Sequence, residues 1–123
     1  MKRYVAEPGS DAVRSAMQEA HGWFMCRVGF VETARAVGLA AGESAVRRFA
    51  EEWPAFGVVE VDQELVERAA SLAFSSALRS LDALHLASAL LLPQAELCVA
   101  TWDRRLSVAA RDQGQRVLPE QLG

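Results

Sequence analysis

The chain has 123 residues, about half of them hydrophobic, and a formal net charge of −3. That length suits one compact domain with its own core and leaves no room for a second, so residues 1–123 are expected to form a single domain. The slightly acidic balance excludes broad, non-specific adhesion to nucleic acid, and any RNA contact must be local.

At the N-terminus, Lys2 and Arg3 lead into Tyr-Val-Ala-Glu-Pro with no apolar stretch of signal-peptide length. Pro8-Gly9 closes that opening, and Ser10 is a suitable N-cap for an amphipathic helix over about Asp11–Ala20. Trp23-Phe24-Met25-Cys26 reads as a buried strand. A helix is predicted from about Phe30 to Ala41 and another from Glu43, ended with the help of Pro54. Gly57-Val58-Val59-Glu60-Val61, dominated by β-branched residues, is the second strand, and Asp62 caps the next helix, along which Leu65, Ala69, Leu72, Ala73 and Ser76 recur.

The segment Leu81 to Leu92 is apolar nearly all round, which predicts a helix buried on most sides and stopped by Pro93. It is interrupted by His85 and Ser88 and is too short to span a bilayer. Leu97-Cys98-Val99-Ala100 is a third strand, Arg104 to Gln113 a helix with Gly114 as its C′ residue, and Arg116-Val117-Leu118 a last strand. Alternating strands and helices predict an α/β fold with a mostly parallel central sheet flanked by helices on both sides. Cys26 and Cys98 lie far apart in short apolar runs and are expected as buried thiols in a reducing compartment. A cytoplasmic protein without a membrane segment is expected.

In an open parallel sheet, ligands bind beyond the carboxyl ends of the strands, where the next helices begin. Glu32, Asp82 and Asp103 fall at such places. A carboxylate in a first helical turn is favoured by the macrodipole and by capping alone, so none of the three marks a site by itself. Three acids on one sheet edge repel one another unless a divalent cation joins them, and hard oxygen donors of this kind suit Mg²⁺ or Mn²⁺.

Leu81-Asp82-Ala83-Leu84-His85-Leu86-Ala87, Thr101-Trp102-Asp103, the Glu32 helix and the opening Lys2 to Ser10 together resemble the PIN-domain ribonucleases, and within them the VapC-type toxins of bacterial toxin-antitoxin modules. The likeness covers essentially the whole chain in the expected order. It implies a PIN-like domain whose acids hold Mg²⁺ or Mn²⁺ and whose reaction is RNA phosphodiester cleavage by metal-bound water. Asp82 and Asp103 would be ligands, Glu32 a ligand or the group orienting water, and Thr101 a support for Asp103 through its hydroxyl. The family uses four acids and this chain matches three; the strand that carries the fourth is missing before Met1. Without that central strand the sheet would have two inner edges, so an upstream native start or a strand from a partner chain is expected.

The resemblance also implies a small cognate antitoxin as partner and a homodimer. Phe49, Trp53 and Phe56 on the early helices could serve the dimer or the core. Arg104 and Arg105 directly follow Asp103 and could meet RNA phosphates or form a solvated helix start. His85 shares a helix face with Asp82 and suits packing or hydrogen bonding better than catalysis. The rival reading is a catalytically inactive PIN-like module that only engages an antitoxin or another protein. A receiver-like or phosphatase-like domain fits worse, since the only lysine is Lys2, and a P-loop or dinucleotide fold is excluded by the lack of a glycine-rich phosphate loop.

Overall fold

The computed structural model describes residues 10–20, 22–94, 97–101 and 103–118, so the opening segment before Ser10 and Trp102 lie outside the described residues. The chain divides between Val59 and Glu60 into two compact units. The first carries α1 (Ser10–Glu19), β1 (Trp23–Cys26), α2 (Gly29–Ala41), α3 (Glu43–Glu52), a 3-10 turn (Trp53–Ala55) and β2 (Phe56–Val59). The second carries α4 (Gln63–Ser75), α5 (Ser80–Leu90), β3 (Cys98–Ala100), α6 (Arg104–Asp112) and β4 (Arg116–Leu118).

In the first unit β1 and β2 pair in parallel, from Trp23 opposite Phe56 to Cys26 opposite Val59. Parallel pairing needs a crossover, which α2 and α3 supply. The two helices are split by Gly42 at φ +82°, a conformation costly for a side-chain-bearing residue, and its N–H donates to the Gly38 carbonyl at 3.0 Å. The core is Val37, Ala45 and Phe49, with Met25, Phe30, Ala34, Val46 and Trp53 packed against it. Phe49 lies 5.4 Å from Phe30 and 5.7 Å from Trp53 between ring centroids, and Trp53 stacks on Phe56 at 5.6 Å. The rings weighed for a dimer face are thus spent on the interior of their own unit.

The second strand was expected over 57–61 and lies at Phe56–Val59, where the Arg27 N–H to Val59 carbonyl bond at 2.9 Å closes the ladder with β1. Pro54 helps to end α3 as expected: the helix stops at Glu52, and Pro54 sits in the 3-10 turn that follows, where its fixed φ is tolerated.

In the second unit Asp62 caps α4, its Oδ1 accepting the Leu65 N–H at 2.9 Å, and α4 packs along α5 through Leu65 and Ala69. α5 buries Ala83, Leu86, Ala87 and Ser88, and the Ser88 hydroxyl donates to the Leu84 carbonyl at 2.7 Å, which satisfies it inside the packed face. It ends at Leu90 rather than Leu92, since Leu91 and Leu92 turn back on the Ser88 and Ala89 carbonyls before Pro93. α6 joins the parallel strands β3 and β4, whose register runs from Cys98 opposite Arg116 to Ala100 opposite Leu118. The helix closes with a Schellman pair: Gln115 N–H on the Ala110 carbonyl at 3.0 Å and Gly114 N–H on Arg111 at 2.9 Å, with Gly114 at φ +82°.

The fold is α/β with parallel strands, as expected. Among the described residues, however, the strands form two separate two-stranded sheets rather than one continuous sheet. Cys26 is buried, but Cys98 is exposed, against expectation: side chains alternate along β3, and Cys98 shares an uncovered side with Ala100. Among the described residues no helix is long and apolar enough to cross a membrane.

Candidate active site

The second unit brings two of the three acids to the starts of packed helices. Asp103 is the N-cap of α6, and it is held at two points. Its Oδ1 accepts the Leu106 N–H at 2.9 Å, and its own N–H donates to the Thr101 hydroxyl at 3.1 Å. Thr101 is buried, and its N–H bonds the Leu118 carbonyl at 2.9 Å, so the β3–β4 ladder itself carries the clamp. The threonine therefore supports the Asp103 backbone rather than touching its carboxylate. The Asp103 side chain is exposed, with Oδ1 engaged by the cap.

Asp82 lies in the first turn of α5 and is half-buried. The N-cap of that helix, Arg79, makes no side-chain capping bond, and the positive end of the helix dipole favours a carboxylate in the first turn. α5 and α6 pack on one another. His85, one turn beyond Asp82, is half-buried on the same helix.

Glu32 belongs to the first unit. It sits in the first turn of α2, exposed, behind an N-cap (Val28) that offers no side-chain acceptor. Asp62 gives a measure of what capping alone explains: it holds the Leu65 N–H at the same 2.9 Å that Asp103 holds Leu106. Among the described residues no three His, Cys, Asp or Glu side chains come together closely enough to hold a metal ion. The donor set is nevertheless of the right chemistry for a hard cation, with carboxylate oxygens and neither thiol nor imidazole required.

Arg104 and Arg105 open α6, both exposed, and line a groove of 520 Å³ with Ser75, Ser76, Ala77, Val108, Ala109 and Asp112. The sequence pointed to the two arginines but not to the opposite wall. Its one local signal is conformational: Ala77 is a non-glycine residue at φ +52°, in the turn that ends α4, and nothing in Ser-Ser-Ala announces that.

A family model described as PIN domain matches residues 4–112. Ribonuclease VapC45 of Mycobacterium tuberculosis (strain CDC 1551 / Oshkosh) is 34% identical to the chain over 131 residues, covering 99% of the chain and 91% of the relative. Ribonuclease VapC49 of Mycobacterium tuberculosis (strain ATCC 25618 / H37Rv) is similar to the same extent, 34% over 131 residues with the same coverage. No solved structure matches the chain.

Proposed function

The chain belongs to the PIN-domain family, and from that premise we propose that it is a VapC-type endoribonuclease, the toxin of a toxin-antitoxin pair. The observation that carries the proposal is the matched span, residues 4–112, which contains Glu32, Asp82 and Asp103, each in the first turn or at the cap of a helix. Both relatives bear the name ribonuclease.

The finer reading is that Asp82 and Asp103 would hold Mg²⁺ or Mn²⁺ and Glu32 would complete the set or orient the attacking water. When bound, such an ion lowers the pKa of water and stabilises charge on the attacked phosphate and the leaving oxygen. The residues themselves do the positioning. Thr101 and the Leu106 N–H fix Asp103 at the mouth of α6, and Asp82 sits in the first turn of α5, where the helix dipole favours a carboxylate. The partner on this reading is a cognate antitoxin, and a homodimer would be formed through faces other than the Phe49 cluster.

Incubation of the chain with single-stranded RNA tests this directly. Cleavage is expected in Mg²⁺ or Mn²⁺, abolished by excess EDTA and reduced at least 100-fold by Asp103→Asn; that fold-change is on the scale of losing a charge-stabilising group. Cleavage that persists in EDTA would sink the metal mechanism. A second reading, a PIN-like module that engages an antitoxin without cutting, is favoured by the Asp103 carboxylate being engaged as a helix cap just as that of Asp62 is. Calorimetric titration with Mg²⁺ separates the two, because heat of binding that is lost in Asp82→Asn belongs to the enzyme and a flat titration to the module.

A further inference from the structure

The arginines whose partners are plain in this chain answer acids one turn away: Arg14 and Asp11 at 3.6 Å, Arg47 and Glu43 at 4.0 Å, Arg68 and Glu64 at 3.1 Å. Arg105, like Arg35 and Arg79, has no such acid among the described residues, and of these three it is the one that stands in the groove between the end of α4 and the face of α6. An arginine without a carboxylate keeps its five donors for something outside the protein. Beside it the groove offers Arg104, the hydroxyls of Ser75 and Ser76, and Val108, which is 57% exposed.

That mixture matches a nucleotide better than a small apolar ligand. Guanidinium and hydroxyl donors suit backbone phosphate oxygens, whereas an exposed valine suits a ribose or a base. The ends of the groove also differ in charge. The arginines lie next to Asp103 in the chain, and Asp112 closes the other end, where a phosphate would be repelled.

We infer that this groove holds the single-stranded RNA on one side of the bond that is cut, with a backbone phosphate on Arg105 and Arg104 and the attached nucleoside along Val108. Resting on the ribonuclease reading, it adds a substrate-binding subsite to that site. Ala77 of its α4 wall stands two residues before Arg79, the N-cap of the Asp82 helix, and Arg104 directly follows Asp103, so each wall is joined in the chain to one acid of this unit.

The test uses the full chain carrying Asp103→Asn, which keeps the helix cap because asparagine accepts the same N–H. Affinity for a fluorescein-labelled single-stranded RNA 12-mer is measured by anisotropy in Mg²⁺ over a series of KCl concentrations. Added Arg105→Ala is expected to weaken binding severalfold and to flatten the slope of log K against log salt by about 0.7, and Arg104→Ala with Arg105→Ala by about 1.4. Arg47→Ala, in the first unit, is expected to leave the slope unchanged. An unaltered slope in the Arg105 variant, or an equal flattening by Arg47→Ala, overturns the inference. So does an Arg105→Ala chain that binds RNA normally but loses an acidic peptide, since the groove would then belong to a protein partner. Cleavage by the unsubstituted chain is scored separately: no cutting with the slope effect intact removes the nuclease and leaves the groove, and cutting with no slope effect does the reverse.

Discussion

At the scale of single residues, Asp103 caps α6 and, on the proposed function, would also hold the cation, two roles that substitution can pull apart. Asparagine preserves the bond to Leu106 and removes the charge, whereas alanine removes both. Asp103→Asn is therefore expected to melt near the parent temperature while cutting no RNA, and Asp103→Ala to lose about 1 kcal/mol of stability as well. Asp62→Ala, which breaks the equivalent bond to Leu65, is expected to lose a similar ~1 kcal/mol and to keep its cutting activity. Urea titrations of the three variants beside RNA assays check this; equal activity losses in Asp62→Ala and Asp103→Asn would deny Asp103 any special role. Asp62 was legible as a cap in the sequence. The clamp on Asp103 was legible only in part, because its proximity to Thr101 is evident from the spacing, but which atom the hydroxyl meets depends on how the chain turns after β3.

Cys98 gives a second residue-level expectation. Desolvation holds its thiol above the ordinary value, and the neighbouring Arg116 guanidinium pulls it back down. At neutral pH the thiol is thus protonated and sluggish, and its alkylation by iodoacetamide is expected to accelerate only on the alkaline side of the usual thiol range. Arg116→Ala removes the lowering charge, so the midpoint moves further up and the rate at pH 8.5 falls. The same raised value means that the native state holds this proton more tightly than the unfolded chain, so the contribution to stability is present below the ordinary thiol pKa and is lost as pH rises through the native one. A midpoint lowered by Arg116→Ala would contradict this. The sequence misjudged Cys98 because its apolar run predicts burial, while β3 is only three residues long and one of its sides is uncovered.

At the scale of elements, the ends of helices were easier to read than the ends of strands. Gly114 announced the close of α6, and its Schellman bonds are those the residue type predicts. β2 ended two residues before its sequence pattern did, because a strand lasts only while a neighbour answers its hydrogen bonds, and β1 stops at Cys26. Gly42 is the joint on which the α2–α3 pair depends. Gly42→Ala meets no atom within 4 Å yet must take φ +82°, so its cost is backbone strain alone, about 1–2 kcal/mol in denaturant titration. An unchanged midpoint would mean that the joint adjusts.

At the scale of the whole molecule, alternation of strands and helices was enough to give the α/β class and the family, since both depend on the order of elements and short motifs rather than on contacts. The sharing of the strands agrees with the two inner edges expected of the sheet: among the described residues they form two parallel pairs, one in each unit. The acids follow the same partition: Glu32 in one unit, Asp82 and Asp103 in the other. Asp82 and Asp103 stand on helices of the second unit that pack together, so a cation shared by these two would be bound within that unit alone. Asp82→Asn and Asp103→Asn are each expected to release bound Mn²⁺, read as a rise of the free-ion signal in electron paramagnetic resonance. A signal that neither substitution changes would deny the pair a common ion.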